Sequence, residues 1–166
     1  IMQARGVAKW HTSDELGFAR NAPEEGESAA KRPLTLALPD EGTTWPRVEC
    51  VWAGTGASAT ALSALINDGI SAYVLVAMGM GNLPSKVAAV AKEHAEIPCV
   101  LTSSVPRGAV NPVYGGPGGG AELVDAGAIA GGWLRAGQAR IALAALLADD
   151  PAATPATLAP RFAELI

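Results

Sequence analysis

The segment Gly79-Met80-Gly81-Asn82-Leu83-Pro84 holds the residues of this chain best suited to chemistry, and it directly follows the apolar run Tyr73-Val74-Leu75-Val76-Ala77. Glycines that follow a buried strand permit a tight turn and leave no Cβ between the backbone and a ligand. Asn82 then stands where a carboxamide, with two donors and one carbonyl, can meet a polar partner. The competing reading is structural, because Asn is a favoured N-cap and a helical pattern follows. The turn fails as a dinucleotide fingerprint: Pro84 occupies the place of the third glycine, and no acidic residue closes the next strand. Gly54-Thr55-Gly56-Ala57-Ser58 lacks the lysine of a phosphate loop and reads as a strand-to-helix turn. Ser103 and Ser104 carry hydroxyls without an evident activator, and no Gly-x-Ser-x-Gly elbow occurs. Tyr114, beside Gly115-Gly116-Pro117-Gly118-Gly119-Gly120, is either a packing aromatic or a lid over a pocket. His11 and His94 lie far apart without cysteine partners, so no zinc spacing exists, and His11 reads as a local structural contact.

The elements that must position these residues follow a regular alternation from Val48 onward. Val48–Ala53 is an apolar strand ending at a glycine turn. Ser58 is a candidate N-cap for a helix with Leu62, Leu65 and Ile66 on one face, closed by Gly69. Tyr73–Ala77 is the next strand. A helix then carries Val87, Val90 and Ala91 inward and Lys86, Lys92 and Glu93 outward, before a third strand at Cys99–Leu101. Continuous apolar strands separated by helices predict a Rossmann-like or flavodoxin-like three-layer α/β domain. Its sheet is mainly parallel, flanked by helices on both faces, with right-handed crossovers. Ser103–Gly120 is too rich in Pro and Gly for regular structure. It leaves the carboxyl end of a parallel strand, where open α/β sheets bind ligands. Glu122–Ala126 reads as a returning strand. Gln138–Ala148 reads as a helix with Ile141, Leu143, Leu146 and Leu147 buried, stopped by Asp149-Asp150-Pro151. A last helix begins near Thr154-Pro155, with Leu158, Phe162, Leu165 and Ile166 on one stripe.

Upstream, residues 1–20 show no clean period, Asn21–Pro33 reads as an exposed linker, and Leu34–Leu38 alternates like a short strand. At 166 residues and 49% hydrophobic, the chain suffices for one sizeable core. A net charge of −4 without a basic patch argues against nucleic acid as a partner. No apolar run approaches the roughly 20 residues of a membrane helix. Cys50 and Cys99 fall in apparent buried strands and read as reduced hydrophobes, a mutual disulfide being the weaker alternative. The opening Ile1-Met2-Gln3-Ala4 looks like a cut from something longer, so an absent leader carries little weight.

Together these pieces resemble the C-terminal domain of the bacterial-type L-asparaginases. The family places a Gly-x-Gly-Asn turn after a strand, as Gly79-Met80-Gly81-Asn82 does. It follows the next strand with Ser-x-Val-Pro-x-Gly, matched by Ser103-Ser104-Val105-Pro106-Arg107-Gly108. A tyrosine stands a few residues on, like Tyr114, and a helix opens Lys-Ala-Arg, here Gln138-Ala139-Arg140. Lys9-Trp10-His11-Thr12 and Gly17-Phe18 are similar to motifs upstream of that domain. The resemblance implies a segment 1–47 joining a missing N-terminal domain to a C-terminal domain at 48–166. It implies a parent that hydrolyses L-asparagine to L-aspartate and ammonia through an acyl-enzyme, without metal or organic cofactor, as a cytoplasmic homodimer or homotetramer. Export stays open as an alternative location. Asn82, Gly81 and Tyr114 are the substrate-binding candidates, and no catalytic residue is assigned.

The departures are specific. The family often has arginine at the place of Ser104, with Arg107 close by here, and Gln138 replaces the lysine. Some members supply an acidic residue from the loop after Gly108 to a neighbouring subunit, whereas this chain offers Tyr114 and glycines there, with Glu122 too late. The family's nucleophilic threonine and its Thr-Asp pair and lysine belong to the N-terminal domain, and neither Thr-Gly-Gly-Thr nor Gly-Thr-Asp-Thr occurs here. The fragment alone is therefore expected to be inactive. The alternatives are a glutaminase, an asparaginase-like subunit of a transfer-RNA amidotransferase, or a non-enzymatic flavodoxin-like ligand-binding module.

Overall fold

A computed structural model describes residues 36, 41–106 and 108–165. The expectations for residues 1–20, for the linker at Asn21–Pro33, for Arg107 and for the Ile166 side chain lie outside the described residues. So does the proposed strand Leu34–Leu38, apart from Leu36, which packs against the core.

Four strands form one parallel sheet: β1 (Val48–Trp52), β2 (Ala72–Ala77), β3 (Cys99–Ser103) and β4 (Ile129–Ala130), in spatial order β1-β2-β3-β4. Among the described residues five helices accompany it: α1 (Thr60–Asn67), α2 (Ser85–Glu93), α3 (Gly120–Asp125), α4 (Ala136–Asp149) and α5 (Pro155–Ala163). Because the order runs one way, crossovers of one hand put every connecting helix on the same face. The core divides accordingly. Tyr73, Leu75, Ala77, Cys99 and Leu101 pack with Leu62 of α1, Val87, Ala88 and Ala91 of α2, and Leu123 of α3. The alternate residues, Val48, Ala72, Val74, Val76, Val100 and Ile129, pack on the other face with Leu143 and Leu146 of α4 and Leu158 and Phe162 of α5. This is the expected three-layer α/β arrangement, and every residue of β2 is buried because helices cover it on both sides. Removing a Val or Leu side chain from water is worth about 1.5–3 kcal/mol, so the central strands dominate the stabilisation.

Helix ends follow local chemistry. α1 stops in a double hydrogen-bonded turn, with Gly69 N–H donating to Ile66 O at 3.0 Å and Ile70 N–H to Leu65 O at 3.3 Å. Its start lies one residue later than expected. Ala59 is the N-cap, while Ser58 Oγ accepts the Thr60 N–H at 3.4 Å. Thr154 caps α5 and Thr157 answers it through a hydroxyl that accepts the Thr154 N–H at 2.9 Å.

Two expectations are corrected. Glu122–Ala126 is not a strand, because Gly120–Asp125 forms α3, whose Leu123 is buried against the sheet. The run also has only Leu123 and Val124 as large apolar residues, too few for a sheet interior. Ile141 is exposed rather than buried: the inward stripe of α4 runs through Ala139, Ala142, Leu143, Leu146 and Leu147. In an alanine-rich helix the apolar residues do not mark the buried face, and packing alone selects it.

Candidate functional site

The C-terminal ends of the parallel strands form the rim on which the sequence placed its candidates. β2 leaves the core at Ala77, and the chain turns back on itself at once. Met78 N–H donates to Asn82 O at 2.9 Å, and the N–H groups of Gly81 and Asn82 donate to Met78 O at 3.0 and 2.9 Å. Gly81 has φ +109°, and a Cβ there would come within 2.9 Å of Leu101 Cδ2 and 3.2 Å of Val110 Cγ1. The left-handed φ favours glycine, and a Cβ would in addition press on the Leu101 and Val110 side chains. Thr55 Oγ1 contacts Met78 Sδ at 3.2 Å, tying the turn after β1 to this one.

Asn82 does not cap the following helix. Pro84 is the N-cap of α2, and no side chain makes a capping bond there. Both backbone polar groups of Asn82 pair with Met78, and among the described residues its half-buried carboxamide has no hydrogen-bond partner. Its side chain is therefore held by a rigid turn with its donors and acceptor uncommitted.

The glycine run lies against this turn. Leu83 N–H donates to Gly118 O at 2.8 Å. A Cβ at Gly118 would collide with the Leu83 carbonyl oxygen, and one at Gly120 would come within 2.9 Å of the Gly81 carbonyl oxygen. Tyr114 O accepts the Ala121 N–H at 3.1 Å, which folds the run back on itself. The loop from Ser104 to Gly119 is thus docked at its C-terminal end. Tyr114 itself is 57% exposed, so its ring does not pack into the core formed by the described residues. The structure joins the Gly81-Asn82 turn and the Tyr114 loop through backbone contacts and leaves the tyrosine ring on the surface.

Ser103 is buried, and its Oγ accepts the Val105 N–H at 3.1 Å, so this hydroxyl serves the turn after β3. Thr102 Oγ1 donates to Leu75 O at 3.1 Å inside the sheet. Glu122, on the first turn of α3, pairs with Lys92 of α2 at 2.9 Å. The Lys92 ammonium, joined by the Gly116 N–H, holds the Glu122 carboxyl below its ordinary value of 4.5.

Sequence reasoning missed two features of the rim. Trp52, Val105, Val113, Tyr114 and Trp133, five of the seven large hydrophobics exposed among the described residues, all belong to the C-terminal ends of strands or to the loop docked there. Exposed apolar side chains are thus gathered at this rim rather than scattered singly over the described surface. Only their positions just after each strand could have signalled it. Arg135 is the second. It is the N-cap of α4, its N–H donates to Gln138 Oε1 at 2.8 Å, and its Nη2 donates to Gly108 O at 2.6 Å. An arginine where Ser, Thr, Asp or Asn is favoured was the available signal.

Comparison with known proteins accords with this geometry. Residues 47–157 match the family described as the Glutaminase/Asparaginase C-terminal domain. A probable L-asparaginase of Deinococcus radiodurans is 34% identical over 163 residues, covering 89% of this chain and 48% of that protein. The crystal structure of a probable cytoplasmic L-asparaginase from Campylobacter jejuni shares the fold, with TM-score 0.61 and 23% identity, over 74% of this chain and 38% of that one. The chain thus spans about half the length of the curated relative it matches. A parallel three-layer sheet, a Gly-x-Gly-Asn turn at its carboxyl rim and this family match together make the chain a member of the glutaminase/asparaginase C-terminal domain family.

Proposed function

We propose that this chain is the C-terminal portion of an L-asparaginase whose parent hydrolyses L-asparagine to L-aspartate and ammonia. Residues 48–166 are the C-terminal domain and 1–47 the segment leading into it. Asn82 supplies a carboxamide to the substrate's charged groups, the Gly81 turn lets the substrate approach the backbone, and Tyr114 borders the site. The nucleophile comes from the remainder of the parent, which assembles as a homodimer or homotetramer, and this chain alone is inactive. The observation that carries the reading is the half-buried Asn82 carboxamide, uncommitted among the described residues while its backbone is fixed at the end of β2. A hydrogen bond from such a group to an ionised partner contributes on the order of 1.5–3 kcal/mol. The exposed Trp52, Val105 and Trp133 on the same rim support a further body there.

Ammonia release tests the proposal. The parent polypeptide is expected to turn over L-asparagine at about 1 per second or faster, while this chain alone releases none. A parent silent on asparagine, or a fragment that turns over at such a rate, contradicts it.

A further inference from the structure

Arg135 occupies a place where an arginine disfavours folding. Its guanidinium stands at the N-terminus of a fourteen-residue helix, where the macrodipole opposes a cation. Its Nη1 is buried and has no hydrogen-bond partner among the described residues, and an unpaired buried donor is costly. Its backbone N–H is capped by Gln138 Oε1, but the reciprocal bond cannot form, because a guanidinium has no acceptor. Burial lowers the pKa of the group, another sign that its charge is poorly solvated.

Among the described residues the side chain makes one hydrogen bond, from Nη2 to the Gly108 carbonyl at 2.6 Å. Gly108 opens the segment that returns to the sheet at Val110, whose N–H donates to Gly132 O at 2.8 Å. Val110 in turn fills the space behind the substrate-site turn, its Cγ1 lying 3.2 Å from the position a Gly81 Cβ would take. A chain of packed contacts therefore runs from Arg135 through Gly108 and Val110 to Gly81 and Asn82.

We propose that Arg135 is a positioning residue for the Asn82 site, holding the Gly108–Val110 segment against the Gly81 turn at the expense of domain stability. The functional part of this proposal rests on the asparaginase reading given above. A group retained only for stability behaves differently from this one, since its removal lowers stability and function together. Replacing Arg135 by an apolar side chain of similar length removes the unpaired donor and the misplaced charge, while releasing Gly108.

The test uses Arg135→Met and Arg135→Lys, each in this chain and in the parent polypeptide. For Arg135→Met the midpoint of thermal unfolding is expected within about 2 °C of the original or above it. Hydrogen exchange at the Val110 amide is expected to accelerate about tenfold or more, while amides of β2 keep their protection. In the parent, kcat/KM for asparagine falls about tenfold, and Arg135→Lys, with its charge and donor retained, recovers part of both losses. Unchanged exchange at Val110 overturns the proposal. So does a fall in melting temperature with protection lost throughout the chain, and so does a lysine variant no better than methionine. A parent inactive on asparagine even with Arg135 intact counts against the asparaginase reading, while the exchange and melting measurements still judge Arg135.

Discussion

The Leu83 backbone N–H donates to the Gly118 carbonyl at 2.8 Å, so the turn presenting Asn82 and the run carrying Tyr114 are one continuous piece of backbone structure. The residue adjoining Asn82 is fixed from outside the helix it precedes. Pro84 prevents the Asn82 side chain from being spent as a cap, because Pro84 itself holds the N-cap position of α2.

Gly118→Ala should be costly for two reasons. The residue has φ +95°, and its Cβ would meet the Leu83 carbonyl oxygen. Left-handed strain and overpacking together are expected to cost about 2–4 kcal/mol. Gly116→Ala is the control, since φ is +85° with nothing within 4 Å of its Cβ; it should lose only about 1–2 kcal/mol. Urea denaturation of the two variants checks the difference, and equal losses would show that the close approach is not felt.

Glu122 gives the acid limb of the stability curve a definite sign. Its folded pKa is held below the ordinary 4.5 by Lys92. Its contribution is therefore present above that value and is lost as pH falls through the folded pKa. Glu122→Gln should melt slightly below the original at neutral pH and converge with it in acid, so that its decline is the shallower of the two. Melting curves from pH 7 to about pH 3 test this, and parallel curves for the two proteins would contradict it.

The two cysteines lie on opposite faces of the sheet, Cys50 toward α4 and Cys99 toward α2 and α3, and both are free. That geometry excludes a mutual disulfide. Burial raises both thiols, Cys99 to about 12. Reductant should leave the melting temperature unchanged, and a thiol reagent at pH 8 should modify Cys99 only at the rate of unfolding. Prompt labelling of Cys99 in the native chain would contradict its burial.

The sheet was legible because β2 is an unbroken apolar run and β3 opens with one at Cys99–Leu101, and such runs admit few alternatives. The Gly81-Asn82 turn was legible for the same reason, as glycine after a buried strand has a narrow set of causes. What escaped was set by long-range contact. The docking of Gly118 on Leu83 joins residues 35 positions apart, and nothing local announces it. Glu122–Ala126 misled because a six-residue helix is too short to display a period. Ile141 misled because α4 packs through its alanines as much as its leucines, so hydrophobicity did not identify the inner face. Arg135 was overlooked because its partner Gly108 lies 27 residues earlier and offers only a backbone carbonyl.

The role of Asn82 is tested most directly by kinetics and melting of Asn82→Ala, measured in the parent polypeptide. Its turn is closed by backbone bonds that alanine keeps, so stability should stay within about 0.5 kcal/mol. Loss of a bond worth about 1.5–3 kcal/mol corresponds to a fall in kcat/KM for asparagine of roughly ten- to a hundredfold. Normal kinetics accompanied by a marked loss of stability would contradict that role and leave Asn82 a structural residue of the turn.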